Sequence, residues 1–163
     1  MNRRLLCLAG LAGALVLSGC ATPDATRGAA HGGAWSGRLS LRLEFEPPQS
    51  FAALFELRGS PDAGQLTLST PIGSTLAQLR WAPGEALLMD GRTTRRFDSV
   101  DALIEAATGA AIPVGALFAW LDGEDRPVSG WRPDLSQLKS GRLQAVRESP
   151  EPRADLRIVF ERA

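Results

Sequence analysis

From Trp35 onward the chain is dominated by a period of two. Leu39, Leu41, Leu43 and Phe45 alternate with Arg38, Ser40, Arg42, Glu44 and Glu46. Successive side chains of a strand point to opposite faces, so this pattern predicts a strand with one apolar and one charged face. Pro47-Pro48 ends it, and Phe51, Ala53, Phe55 and Leu57 then alternate with Glu56 and Arg58 before a turn at Gly59-Ser60-Pro61-Asp62. Strands are predicted over 65–69 and 75–81, separated by Thr70-Pro71-Ile72-Gly73-Ser74, and over 86–89 and 92–97, joined by the hairpin signal Asp90-Gly91. Connections this short can join only antiparallel neighbours, so the segment reads as a meander. Such a sheet leaves one entire face needing an apolar cover.

The period then changes. Val100, Leu103, Ile104 and Ala107 fall at i, i+3, i+4 and i+7, one face of a helix that Asp98 or Ser99 caps and Gly109 can end. Pro113 suits the first position of a second helix, whose stripe is Val114, Leu117, Phe118 and Leu121, ending near Asp122-Gly123. After a polar stretch, 142–147 and 155–161 read as a terminal hairpin across Ser149-Pro150-Glu151-Pro152. Two helices of roughly ten residues are only ~15 Å long each. They cover part of a sheet of about eight strands, leaving a remainder that is either filled as a small closed barrel or left as an apolar cavity. The pattern does not choose between these.

The first twenty residues belong to a different kind of segment. Asn2-Arg3-Arg4 precedes an apolar run from Leu5 to Leu17, short of the ~20 residues a membrane-spanning helix needs but right for a signal-peptide core. It ends in Leu17-Ser18-Gly19-Cys20, which resembles the bacterial lipobox, in which the Cys thiol receives the lipid. The expectation is a signal peptide over 1–19, a covalently lipidated Cys20, a flexible tether over 20–34 and one domain over 35–163. Cleavage takes the 163-residue chain to 144 residues and its 18 basic and 18 acidic groups to 16 and 18, net −2. Cys7 leaves with the signal and Cys20 carries lipid, so the domain is expected to be held by apolar packing without a disulfide. Several acyl chains together anchor stably, each buried CH₂ contributing ~0.8 kcal/mol.

Composition narrows the function. A charge balance near zero lacks the basic stripe of a nucleic-acid binder. With one His and two Cys, a structural zinc site is not expected, and no catalytic residue is identified, since a His-dependent nucleophile would need His31 in the tether. No cofactor is expected beyond the lipid.

Three further segments carry a resemblance. Ala107-Thr108-Gly109-Ala110-Ala111-Ile112-Pro113, followed by Leu117, Trp120-Leu121 and Gly123, resembles the helical segment of the outer-membrane lipoprotein LolB family. Leu68-Ser69-Thr70-Pro71-Ile72-Gly73-Ser74-Thr75 is similar to that family's strand-loop-strand segment, and Trp35-x-Gly37-Arg38-Leu39 to its first strand. The resemblance implies a mainly β (α+β) fold, an incomplete antiparallel β-barrel whose short helical hairpin caps an apolar cavity. It also implies a monomeric receptor, lipid-anchored at the periplasmic face of the outer membrane, that takes lipoproteins from a LolA-like periplasmic carrier and inserts them into the membrane. Ala21 fits that location, because an Asp after the lipidated Cys marks inner-membrane retention in such proteins. The alternative is an assembly lipoprotein that binds a protein partner through its sheet and has a filled core.

The resemblance also assigns site residues. Ile72, between Pro71 and Gly73, matches the exposed apolar residue of the family's protruding loop, and Ile stands where Leu is usual. An Ile at a loop tip forgoes ~1.5–3 kcal/mol of burial, which is reasonable if it meets membrane or partner. Plugging the underside of the sheet is its other possible role. Leu39, Leu41, Leu43, Phe55, Leu57, Leu103, Phe118 and Trp120 are the candidates for contact with acyl chains, with plain core packing as the alternative for each. Trp35 and Trp81 read as rim or core. Arg95-Arg96 reads as a solvated strand face, or else a contact for anionic head groups or an acidic rim on the carrier.

Overall fold

The structure is a computed structural model that describes residues 32–163. The expected signal peptide, Cys20, Ala21, His31 and the tether up to that point lie outside the described residues. Six strands follow one another: β1 (Gly33–Leu43), β2 (Gln49–Gly59), β3 (Gly64–Ser69), β4 (Thr75–Ala82), β5 (Glu85–Asp90) and β6 (Thr93–Phe97). The helices α1 (Val100–Thr108) and α2 (Val114–Leu121) come next, then β7 (Trp131–Asp134), β8 (Arg142–Arg147) and β9 (Ala154–Arg162). All nine strands form one antiparallel sheet in the order β6-β5-β4-β3-β2-β1-β9-β8-β7. Its edges, β6 and β7, do not pair with each other, so the barrel is incomplete, with the helical hairpin against its inner face.

The alternation places the core. Leu41, Leu43, Ala53, Phe55, Leu57, Leu68, Leu79, Trp81, Ala86 and Leu88 are buried on the inner face, while Arg38, Arg42, Glu56, Arg58 and Arg80 are exposed on the outer one. Trp35 and Trp81 both belong to the core. The β1 strand stops at Leu43, so Phe45, expected to extend its apolar face, is exposed beyond the strand end. At the other end β1 begins at Gly33, two residues before the expected start. Gly37, with φ 155°, sits where a Cβ would lie against the carbonyl oxygen of Val159, so the close approach of β9 to β1 requires glycine there.

Ser99 is the cap of α1, its hydroxyl accepting from the Ala102 N–H at 3.1 Å, and Gly109 ends the helix at φ 75°. Pro113 differs from expectation by one position: its ψ of 116° is extended, making it the cap residue with Val114 the first helical one. The expected stripe of α2 is also too narrow. Ala116, Ala119 and Trp120 are buried along with Val114, Phe118 and Leu121, while Leu117 is half-buried. This short helix is enclosed on nearly every side, between the sheet and the chain that follows it.

Two elements lie in the stretch read as polar. The β7 strand and a 3₁₀ turn at Leu138–Ser140 carry too few residues to show a period. The strand order is something the pattern left open. The last three strands add to β1 rather than to β6. The C-terminal strand therefore lies beside the N-terminal one and makes β1 an interior strand.

Candidate cavity and protruding loop

The loop between β3 and β4 holds its own shape. Thr70 N–H donates to the Ser74 carbonyl at 2.8 Å, Gly73 N–H donates to the Thr70 carbonyl at 2.9 Å, and Ser74 N–H donates to Thr70 Oγ1 at 3.1 Å. Pro71 fixes its own φ near −65° within this turn, and Gly73 takes the left-handed conformation at φ 87°. Ile72, held at the tip, is 90% exposed. Among the described residues no other large apolar side chain is as exposed; Val159 follows at 54%. Ile72 thus points away from the sheet's underside.

Beneath the helices is a cavity of about 50 Å³. Its floor is the inner face, Leu39, Leu41, Phe51, Leu66, Leu68, Leu79 and Leu156, and its roof is Ile104, Ala107, Thr108, Ile112 and Leu117. The one polar side chain, Thr108, turns its hydroxyl to backbone, donating to Ile104 O at 2.8 Å and accepting from Ala110 N–H at 3.3 Å. The lining is therefore hydrocarbon in effect. A groove of about 290 Å³ adjoins it, sharing Leu41, Phe51, Ala107 and Thr108 and adding Leu43, Gln49, Ser50 and Gly109. The groove lies where β1 ends and β2 begins, the end of the sheet to which the Ile72 loop also projects.

Of the eight residues expected to contact acyl chains, Leu39 and Leu41 line the cavity and Leu43 the groove. The other five are buried away from it. Phe118 sits edge-on to Trp35 at 5.4 Å and to Trp81 at 6.3 Å. Trp120 is fully buried and its Nε1–H donates to the Arg126 carbonyl at 3.0 Å. Phe55, Leu57 and Leu103 complete that packed region. The roof residues Ile104, Ile112 and Leu117 were missed, although Ile104 and Leu117 sat in the recognised helical stripes. What the stripes lack is the gap between α1 and α2, which sets which apolar residue faces a void.

The hairpin is fastened to the closing strands. The carbonyl of Ala111, in the link between α1 and α2, accepts from Trp131 Nε1–H at 3.1 Å and Arg147 Nη1–H at 3.5 Å. Arg147 is buried, its guanidinium 5.7 Å from the Trp131 ring centre, and Nη2–H donates to the Pro152 carbonyl at 2.9 Å. At the far edge, adjacent arginines part company: Arg96 turns outward and pairs with Glu85 at 2.6 Å, while Arg95 turns to the inner side over Phe97. Ser136 holds the exposed Asp134 carboxyl below its ordinary value, and Asp155 raises the Arg157 guanidinium. Neither group lines the cavity. Among the described residues no three His, Cys, Asp or Glu side chains gather as a metal site.

Comparison with known proteins agrees with this architecture. The family model described as "Outer membrane lipoprotein LolB" matches residues 34–161. An outer-membrane lipoprotein LolB of Bordetella petrii is 33% identical, the alignment covering 88% of this chain and 86% of the relative. The LolB of Halorhodospira halophila is 37% identical over 87% of this chain and 75% of its own length, and that of Cupriavidus pinatubonensis 32% over 90% and 73%. With a half-open sheet, a capping hairpin and a family match spanning nearly every described residue, this chain belongs to the outer membrane lipoprotein LolB family.

Proposed function

We propose that this chain, an outer-membrane lipoprotein of the Lol system, is anchored through lipid on Cys20, accepts lipoproteins from a LolA-like periplasmic carrier and inserts them into the membrane. The observation that carries the reading is Ile72, 90% exposed on a hydrogen-bonded loop beside an apolar cavity and its groove. Transfer of this kind makes and breaks no covalent bond. Each acyl CH₂ left in water costs ~0.8 kcal/mol, so cargo passes from cavity to cavity to bilayer only through apolar surroundings.

A volume of about 50 Å³ is well below the ~300 Å³ at which ligand pockets begin. Accepting an acyl chain therefore requires the hairpin to lift from the sheet, with the groove as the way in. The same small volume is what favours the rival reading, a sheet-binding assembly lipoprotein with a filled core. Saturable binding of a fluorescent fatty acid to the full chain supports transfer, and its absence supports the rival.

Replacement of Ile72 by Glu tests the loop. The residue is exposed, so folding stability stays within about 0.5 kcal/mol. Loss of its burial in the bilayer, ~1.5–3 kcal/mol, slows release into membrane by about tenfold to a hundredfold. Acceptance of cargo from the carrier is unchanged. Equal loss of acceptance and release refutes a separate insertion role.

A further inference from the structure

We propose that the outer face of the sheet is a membrane-contacting surface, on which the domain lies against the anionic head groups of the bilayer with its helices turned away. The proposal rests on the anchor-and-loop reading above. The tether from Cys20 enters β1 at Gly33, which pairs with Gly59, and Gly59 with Gly64, so it joins one end of the strands. The Ile72 loop leaves β3 at the other end, after Ser69. With Ile72 in the bilayer, the domain can rest on the lipid surface by its sheet face or by its helix face.

Charge distinguishes the two faces. Register places Arg38, Arg42, Arg58, Arg80, Arg96, Arg132, Arg142 and Arg157 on the outer face, with Glu56, Glu85, Asp134, Asp155 and Glu161 and with Glu148 paired to Arg132, net +2. The rest of residues 32–163 holds seven basic and eleven acidic groups, net −4. Asp98, Asp101, Glu105, Asp122, Glu124 and Asp125 surround the helices. A bilayer carrying anionic lipid attracts arginine and repels carboxylate within a Debye length, so it takes the sheet side.

The middle of that face suits a head-group surface. Arg38, Arg42 and Arg142 make no ion pair among the described residues. Val159, 54% exposed, stands directly opposite Arg38 on one side and Arg142 on the other, with half-buried Leu54 next along the same row. Beside this row Ser40, Ser50 and Ala52 form a shallow groove flanked by Arg42 and by Arg157, which Asp155 in the same groove holds at 2.8 Å. The guanidinium groups of Arg38, Arg42 and Arg142 are the ones left to meet phosphate oxygens while Val159 meets the apolar part of the interface.

Two single-cysteine labels on the full lipidated chain read the orientation. A fluorophore is placed at Val159→Cys on the sheet face or at Ala106→Cys on the exposed side of α1. The chain is then reconstituted in vesicles of phosphatidylethanolamine and phosphatidylglycerol with nitroxide-bearing head groups. Quenching is expected to be several-fold stronger at position 159 than at 106. Each arginine favours the lying orientation by about fivefold, so the combined Arg38→Gln, Arg42→Gln and Arg142→Gln replacements weaken that preference by about a hundredfold. Pure phosphatidylcholine abolishes the difference. Flotation with the vesicles reads the anchor separately. A chain that floats but is quenched equally at both positions overturns the face assignment and leaves the transfer reading standing, whereas a chain that does not float overturns both. Protection of position 159 that appears only when an acidic protein is added assigns the face to that protein and overturns the membrane contact.

Discussion

Ala107 is the position at which the way into the cavity can be closed without disturbing the fold. It lies on α1, is exposed, and borders both the cavity of about 50 Å³ and the groove of about 290 Å³. Replacing it with Trp costs about 0.5 kcal/mol of helix propensity, because an aromatic side chain loses rotamer freedom against the preceding turn. For a domain of this size that lowers Tm by about 1–3 °C. The indole meanwhile occupies the junction through which an acyl chain would pass. Denying the chain burial of about four methylenes costs about 3 kcal/mol, or about two powers of ten in affinity. Displacement of an apolar fluorescent probe by fatty acid, with a thermal melt of each variant, separates the two quantities. The control is Ala106→Trp, on the same helix and also exposed but bordering neither space, which should keep full affinity. If Ala107→Trp binds fatty acid within about threefold of the parent at a Tm close to the parent's, the groove is not the way in and the reasoning fails.

Two further perturbations test the frame that holds the site. Gly37→Ala drives a Cβ against the carbonyl oxygen of Val159 at a φ of 155°, and should cost about 2 kcal/mol or more in a urea titration; an unchanged midpoint would show that β9 shifts aside without penalty. The side-chain hydrogen bond from Ser136, and after it the Ser136 backbone N–H, hold the Asp134 carboxyl below its ordinary value. A depressed carboxyl adds stability above its unfolded pKa and loses it as pH falls through the folded one. Asp134→Asn should therefore lower Tm slightly at neutral pH, with the gap to the parent closing as pH falls below about 4 and the parent's carboxyl takes up its proton. Parallel curves for parent and variant would refute this.

The inner face of the sheet was legible because a two-residue period is local. Leu41, Leu43, Phe55 and Leu57 declare their side by their immediate neighbours, and the structure buries all four. Ser99 and Gly109 were legible for the same reason, since a cap acts within one turn of helix. Arg147 shows where that reach ends. It occupies a strand position that reads as polar, yet it is buried because Trp131, Ala111 and Pro152, far apart in sequence or around a turn, converge on its guanidinium.

The sequence by itself determined eight of the nine strands, the two helices and the single apolar face that had to be covered, and it put Ile72 on a turn with no strand face to serve. Only the tertiary structure decided that β9 closes on β1, that α2 is enclosed nearly all round, and that Leu66, Ile104 and Leu117 rather than Phe55, Leu103 or Phe118 look onto the cavity. The reason is physical. Periodicity records which way a side chain points from its own backbone, whereas a void is defined by the distance between elements that the chain brings together only after folding.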